Sequence, residues 1–238
     1  MSRSWETISC LLAVDSRKGF AGPKRIKVQP FVFAFINLLF CVYYDQFLRG
    51  DADGHYLQLL FFVNASFFAA MVVGFFIQSN TEILLKTSIF PTTGWNRFLF
   101  VVLSTCRRPF VFSLWSTTSL FLLVFYRRNM LVMCSSVIIF TLMLLDLLII
   151  ASVLFLVGVR SSRSLSIGAP VLILGAVGIL VSSVMFQIKS LLTTIPVLSW
   201  AADGILAAQR ADTRALILNL TLLLIVAIGG ILIGRRVC

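Results

Sequence analysis

The chain has 238 residues, of which 59% are hydrophobic and 12% charged, with a net charge of +11. That charged share is about half of what a soluble domain carries, and a soluble fold of this length lacks the interior volume to hide so many Phe, Leu, Ile and Val side chains. Lipid must be the solvent for much of the surface, so soluble enzymes are excluded and no nucleic-acid partner is expected. The chain reads as all-α and integral to a membrane, with a cytoplasmic segment over 1–27 and a transmembrane domain over 28–238.

Residues 1–27 hold too many charges and too short an apolar core for a cleavable signal peptide. Trp5, Ile8, Leu11 and Leu12 recur at helical spacing within 4–20, which predicts an interfacial helix along the inner leaflet. Gly22-Pro23 breaks the chain before Lys24-Arg25-Ile26-Lys27. Together with Arg17 and Lys18, these cations form a basic segment suited to anionic headgroups.

Six apolar runs follow, at 28–47, 56–78, 109–126, 130–159, 165–187 and 215–234. Each is near the ~20 residues a helix needs to cross the hydrocarbon core. With the N-terminus inside, fourteen of the 20 Lys and Arg residues fall on inner segments and six on outer ones. The positive-inside rule then places both termini in the cytoplasm of a multi-pass inner or plasma membrane protein. Arg127-Arg128 is the exception, assigned to a short outer hairpin from Tyr126 to Asn129. The loop from Asp45 to His55 lacks the closing Glu of a calcium loop and reads as a solvated turn.

Between the second and third runs, Ser79 and Glu82 are spaced as a capping box and Pro91 stops what they start. Residues 80–91 are too charged to cross a bilayer and too apolar for a floppy loop, so they predict an amphipathic helix on the inner face. After a break at Pro91–Gly94, Trp95 to Cys106 is a further helical stretch. Arg107-Arg108 mark the headgroup level, and Pro109 suits the first turn of the third span. Between the fifth and sixth runs, 188–214 is apolar enough to dip into the outer leaflet. Pro196 and Gly204 interrupt it, which predicts paired short re-entrant helices.

Reagents for chemistry are scarce. His55 is the sole histidine, the five cysteines have no CxxC spacing and read as packing residues, and no metal site is expected. Neither GxSxG nor HExxH occurs, nor the GxxxxGK[ST] loop that would let the chain hydrolyse ATP itself. No catalytic residues are expected; the chain reads as a non-enzyme. Among the polar residues within the runs, Asn37, Asn64, Ser66, Asp146 and Gln187 stand out. Asp146 follows sixteen residues of the fourth run and precedes thirteen, so it should face protein or water rather than lipid. It reads either as a pathway residue or as a carboxylate tied to a neighbouring helix. The amides read as helix glue or path lining.

In order, the layout is an N-terminal interfacial helix, six spans, a structured inner helix between spans two and three, and a re-entrant outer element between spans five and six. This layout resembles the permease subunits of type V ABC exporters, in the ABC-2 transporter superfamily. Two local patterns carry the likeness. Glu82-Ile83-Leu84-Leu85-Lys86-Thr87-Ser88-Ile89-Phe90-Pro91 resembles that family's coupling segment, and Pro196-Val197-Leu198-Ser199-Trp200-Ala201-Ala202-Asp203-Gly204-Ile205 is similar to its outer segment before the last span. The resemblance implies a separate ATPase subunit holding ATP and Mg, while this chain binds no cofactor. It also implies a second permease copy, identical or homologous, that encloses a path at the interface. Glu82, Ile83, Leu84, Leu85, Lys86 and Phe90 would then be the coupling surface. Outside the resemblance, the residues leave two other readings open: a gradient-driven carrier using Asp146, and a non-transporting scaffold of a secretion or assembly complex. Phe-rich, nearly uncharged spans suit an apolar or amphipathic cargo.

Overall fold

A computed structural model describes residues 8, 9, 13, 34, 35, 37–39, 41, 42, 57–66, 68, 93–160 and 196–237. The coupling segment 80–91, the basic residues 17–27 and the fifth run at 165–187 lie outside them. The described residues are helical apart from turns at 107–108, 126–129 and 210–212 and the extended Thr93. Six helices are labelled in chain order: α1 (Leu57–Ser66), α2 (Gly94–Cys106), α3 (Pro109–Phe125), α4 (Met130–Arg160), α5 (Pro196–Gln209) and α6 (Thr213–Val237). The described residues between 34 and 42 are helical as well, as are Ile8, which is buried, and the exposed Ser9 and Ala13.

Apolar length decides which helices can span. α4 and α6 are each long and apolar enough to cross a membrane alone, and α2 with α3 passes as a pair bent by 59°. The bend has a local cause. Pro109 has no N–H for the helical ladder, and the Arg108 backbone is extended at ψ 135. The Arg107 and Arg108 amides therefore close α2 by donating to Leu103 O and Thr105 O, at 3.2 and 3.0 Å.

At the far end of α3, the Arg127-Arg128 pair sits in a four-residue turn. The Asn129 carboxamide caps α4 by accepting from the Leu131 and Val132 amides at 3.1 and 3.3 Å. The expected hairpin from Tyr126 to Asn129 is therefore present. Trp115 Nε1 donates to Thr141 Oγ1 at 2.9 Å, which sets the register of the antiparallel α3–α4 pair.

α5 corrects one expectation. Gly204 does not interrupt the segment: the helix runs unbroken from Pro196 to Gln209. Glycine is there because the chains approach closely. A Cβ at 204 would lie 3.0 Å from Ile139 Cδ1 on α4 and 3.4 Å from Asn219 Cβ on α6. With 14 residues, about 21 Å, α5 is too short to cross a hydrocarbon core of about 30 Å. It ends in a Schellman turn, with the Asp212 amide on Ala207 O at 2.9 Å and the Ala211 amide on Ala208 O at 3.2 Å. Ala211 takes the left-handed position at φ 55 that glycine usually fills. Asp212 then caps α6 through the Arg214 and Ala215 amides, both at 3.1 Å.

α6 touches the bundle along one face, with a stripe of Asn219, Leu223, Ala227, Gly230 and Gly234 along its middle and Leu216, Leu220 and Val226 beside them. Elsewhere it presents Ile217, Leu218, Leu224, Ile225, Ile228, Leu232 and Ile233 outward. The stripe holds by close approach. A Cβ at Gly230 would meet Ile149 Cγ2 at 2.5 Å, and one at Gly234 would meet the Phe98 ring at 2.6 Å. This is the small-residue packing that membranes favour, since lipid offers no hydrophobic drive between helices. A ten-residue step on α4, from Ile139 to Ile149, matches an eleven-residue step on α6, from Asn219 to Gly230. The two helices therefore run parallel, with α5 against their first halves and α2 against their last.

The two adjacent glycines give a paired test. Gly230→Ala forces Ile149 to move and is expected to cost about 1–3 kcal/mol. Gly229→Ala meets nothing within 4 Å and is expected to be neutral or to stabilise by up to about 1 kcal/mol through helix propensity. Unfolding of the two variants in mixed micelles measures the difference.

Candidate functional site: the polar interior

Two of the predicted interior amides meet at one hydroxyl. Asn37 is 4% exposed, Asn64 and Thr118 not at all. Asn37 Nδ2 donates to Thr118 Oγ1 at 2.9 Å and to Thr117 Oγ1 at 2.6 Å. Thr118 Oγ1 in turn donates to Asn64 Oδ1 at 2.7 Å, and Asn64 Nδ2 to Leu60 O at 2.9 Å. Thr117 Oγ1 donates to Ser113 O one turn back, at 2.8 Å. The chain of bonds ties the 34–42 helix, α1 and α3 together at mid-bundle. Its directions also fix the Asn37 amide: both threonine protons are committed elsewhere, so Asn37 must present its NH₂ to them. The Cys41 thiol, fully buried one turn from Asn37, also hydrogen bonds with Thr118.

Asn37 Oδ1 is buried with no partner among the described residues, as is Ser119 Oγ on the turn of α3 that carries Thr118. Several other hydroxyls of the described interior are satisfied by their own helices. Ser104 and Thr105 donate to Val101 O, and Ser152 donates to Leu148 O, at 3.1, 2.8 and 2.7 Å.

Asp146 is set apart from this relay. It is 0% exposed, and neither carboxylate oxygen has a hydrogen-bond partner among the described residues. It faces protein, as the sequence implies, but the middle of α4 does not coincide with the middle of α3. The Trp115–Thr141 pairing sets Asp146 level with Phe110, two residues from the Arg107-Arg108 break. Counted along α4, it lies about 24 Å from Met130, within a hydrocarbon core about 30 Å thick. Its azimuth follows from helical geometry: it lies about 20° around α4 from Ile139 and about 60° from Ile149. Ile139 packs at Gly204 and Asn219, and Ile149 at Gly230 and in a cluster with Phe98 and Ala227. Asp146 thus falls on the face of α4 turned to α6, between those two contact levels.

Of the other predicted positions, Glu82, Ile83, Leu84, Leu85, Lys86 and Phe90, the basic residues Arg17, Lys18, Lys24, Arg25 and Lys27, and Gln187 all lie outside the described residues. Sequence reasoning missed Thr117 and Thr118. The signal was the run Ser113, Ser116, Thr117, Thr118, Ser119 inside a span, where hydroxyls have only protein to bond. No group of three or more His, Cys, Asp or Glu that could hold a metal occurs among the described residues.

Fold and interior together define a helical membrane protein whose helices are joined by buried amide–hydroxyl bonds and glycine contacts. Comparison with protein-family models, with curated proteins and with solved structures gives no match in any of the three.

Thr118 is the joint on which the relay turns. Thr118→Val keeps the shape but strands Asn37 Nδ2 and Asn64 Oδ1, at an expected cost of about 1–2 kcal/mol. Thr118→Ser is expected to retain most of that stability, as read by denaturation of the purified protein in micelles.

Proposed function

We propose that this chain is the membrane-spanning subunit of an ATP-driven exporter. Two copies, or a homologous pair, enclose the path, and a separate ATPase subunit grips the 80–91 segment at the cytosolic surface. The six-span layout, both termini in the cytoplasm and the outer re-entrant element belong to the same proposal.

The observation that carries it is the seating of α2. This helix begins three residues after Pro91. Its Phe98 ring fills the notch of Gly234 at one end of α6 and clusters with Ile149 of α4. Trp95 stacks on Phe98 at 5.7 Å. A displacement of the 80–91 segment would therefore be passed through a packed aromatic wedge to the two longest helices at once. At its other end α2 meets the 59° break at Pro109, a natural pivot against α3. Arg97, Arg235 and Arg236 collect at this end of the bundle, in keeping with a cytosolic face.

Replacing Glu82→Lys or Leu85→Asp is expected to abolish most stimulation of the partner ATPase while leaving membrane insertion intact. Phe98→Ala is expected to leave the ATPase bound but reduce stimulation severalfold. Co-purification followed by ATPase assay in proteoliposomes measures both, and full stimulation in all three variants would sink the lever.

One observation favours a second reading. A carboxylate buried without a partner is what a gradient-driven carrier needs for a coupling ion. Transport in ATP-free proteoliposomes that is lost in Asp146→Asn would support the carrier.

A further inference from the structure

The seam between α4 and α6 holds a carboxylate with no hydrogen-bond partner among the described residues, and the described cations nearest its level, Arg107 and Arg108, stand at the α2–α3 break. An uncompensated carboxylate in a bilayer core is costly, and Asn or Leu would fit the same helix position without that penalty. No Lys or Arg lies on the described stretches of α4, α5 or α6 at the level of Asp146; the arginines there are confined to helix ends. The facing stripe of α6 supplies Leu223, Ala227 and Gly230. An inorganic cation requires several oxygen ligands, and these residues bring no side-chain oxygen. An organic cation requires only one carboxylate and apolar walls, which is what the seam provides.

Access is built into the same contact. α6 is held along one face, with Leu216, Leu220 and Val226 flanking the stripe, and only 17% of its spanning window is buried against 44% for α4. Its remaining surface, with Leu224, Ile228 and Ile231 beside the stripe, is turned outward. A helix packed on one face parts from its neighbour more readily than one buried all round. When it parts, Asp146 opens sideways to lipid, about 6 Å short of the hydrocarbon edge at the α2 end.

We propose that Asp146 is the recognition residue for a lipophilic monovalent cation that reaches the α4–α6 seam directly from the bilayer. The apolar body of the ligand replaces α6 side chains against α4, and its charge pairs with the carboxylate. This names the cargo class of the exporter proposed above and rests on that reading for its transport role, but the binding itself needs neither ATP nor the ATPase subunit.

The test uses the full chain in nanodiscs with tetraphenylphosphonium as probe and tetraphenylborate, the anion of the same shape, as control. The wild type is expected to bind the phosphonium saturably and the borate only as empty nanodiscs do. Asp146→Asn, isosteric and uncharged, is expected to weaken phosphonium binding about tenfold or more, the equivalent of ~1.4 kcal/mol, and Asp146→Glu to restore part of it. A lock tests access independently. A Cβ at Gly230 would lie 3.7 Å from Ile149 Cβ, within the range for a disulfide. The double variant Ile149→Cys/Gly230→Cys is expected to lose binding when oxidised and regain it on reduction. Equal binding of the two probes, unchanged affinity in Asp146→Asn, or binding indifferent to the lock would each overturn the proposal. A chain that binds the cation yet never engages an ATPase would leave the site standing and remove the exporter.

Discussion

Lipid tails are as apolar as Leu or Ile, so helices in a bilayer gain nothing by merely hiding apolar side chains from one another. Contact must come from close approach of backbones or from polar groups that find partners only in protein. The molecule uses the two devices in different places. Around α3, the Thr118 hydroxyl gathers Asn37 and Asn64 into one line of hydrogen bonds. Around α6, glycines at 204, 230 and 234 remove the side chain wherever Ile139, Ile149 or Phe98 presses in. Every other feature of the described fold is arranged around these contacts.

The division has a mechanical meaning. Hydrogen bonds are directional, and the relay linking α1, α3 and the 34–42 helix fixes orientation as well as separation. Contacts through glycine are shape contacts, which hold a helix close but let it slide or part with little to break. One side of the bundle is therefore pinned and the other only fitted. α2 belongs to the fitted side, wedged by a ring into a notch, and the break at Pro109 uncouples its direction from that of α3. An ATP-driven lever acting through α2 would move α4 and α6 against a stationary polar core.

How much of this is legible in the residues depends on which physical quantity sets each feature. Helices at 109–126, 130–159 and 215–234 and the Tyr126–Asn129 hairpin follow from apolar length and charge, and the structure places them within two or three residues. The helices at 130–159 and 215–234 are long enough to span alone, and that at 109–126 only together with α2. The start of α3 at Pro109 follows from backbone chemistry. Gly204 misleads because a glycine signals either a break or a close approach, and only the neighbours, Ile139 and Asn219, decide which. Thr117 and Thr118 are quiet in sequence because hydroxyls inside a span usually bond their own helix, as Ser104 and Ser152 do. The burial of Asp146 was legible from cost alone. Its level was not, since counting from the ends of an apolar run ignores that α4, at about 46 Å, is longer than the hydrocarbon is thick.

The parallel pairing of α4 and α6 has a consequence for biogenesis. The ribosome completes α4 more than fifty residues before it begins α6, so during that interval the Asp146 carboxylate stands on a helix whose cover does not yet exist. Docking of the last helix completes its cover. A chain arrested or clipped before residue 213 would display an acidic group in the membrane plane, a mark by which intramembrane surveillance can tell an unfinished molecule from a finished one.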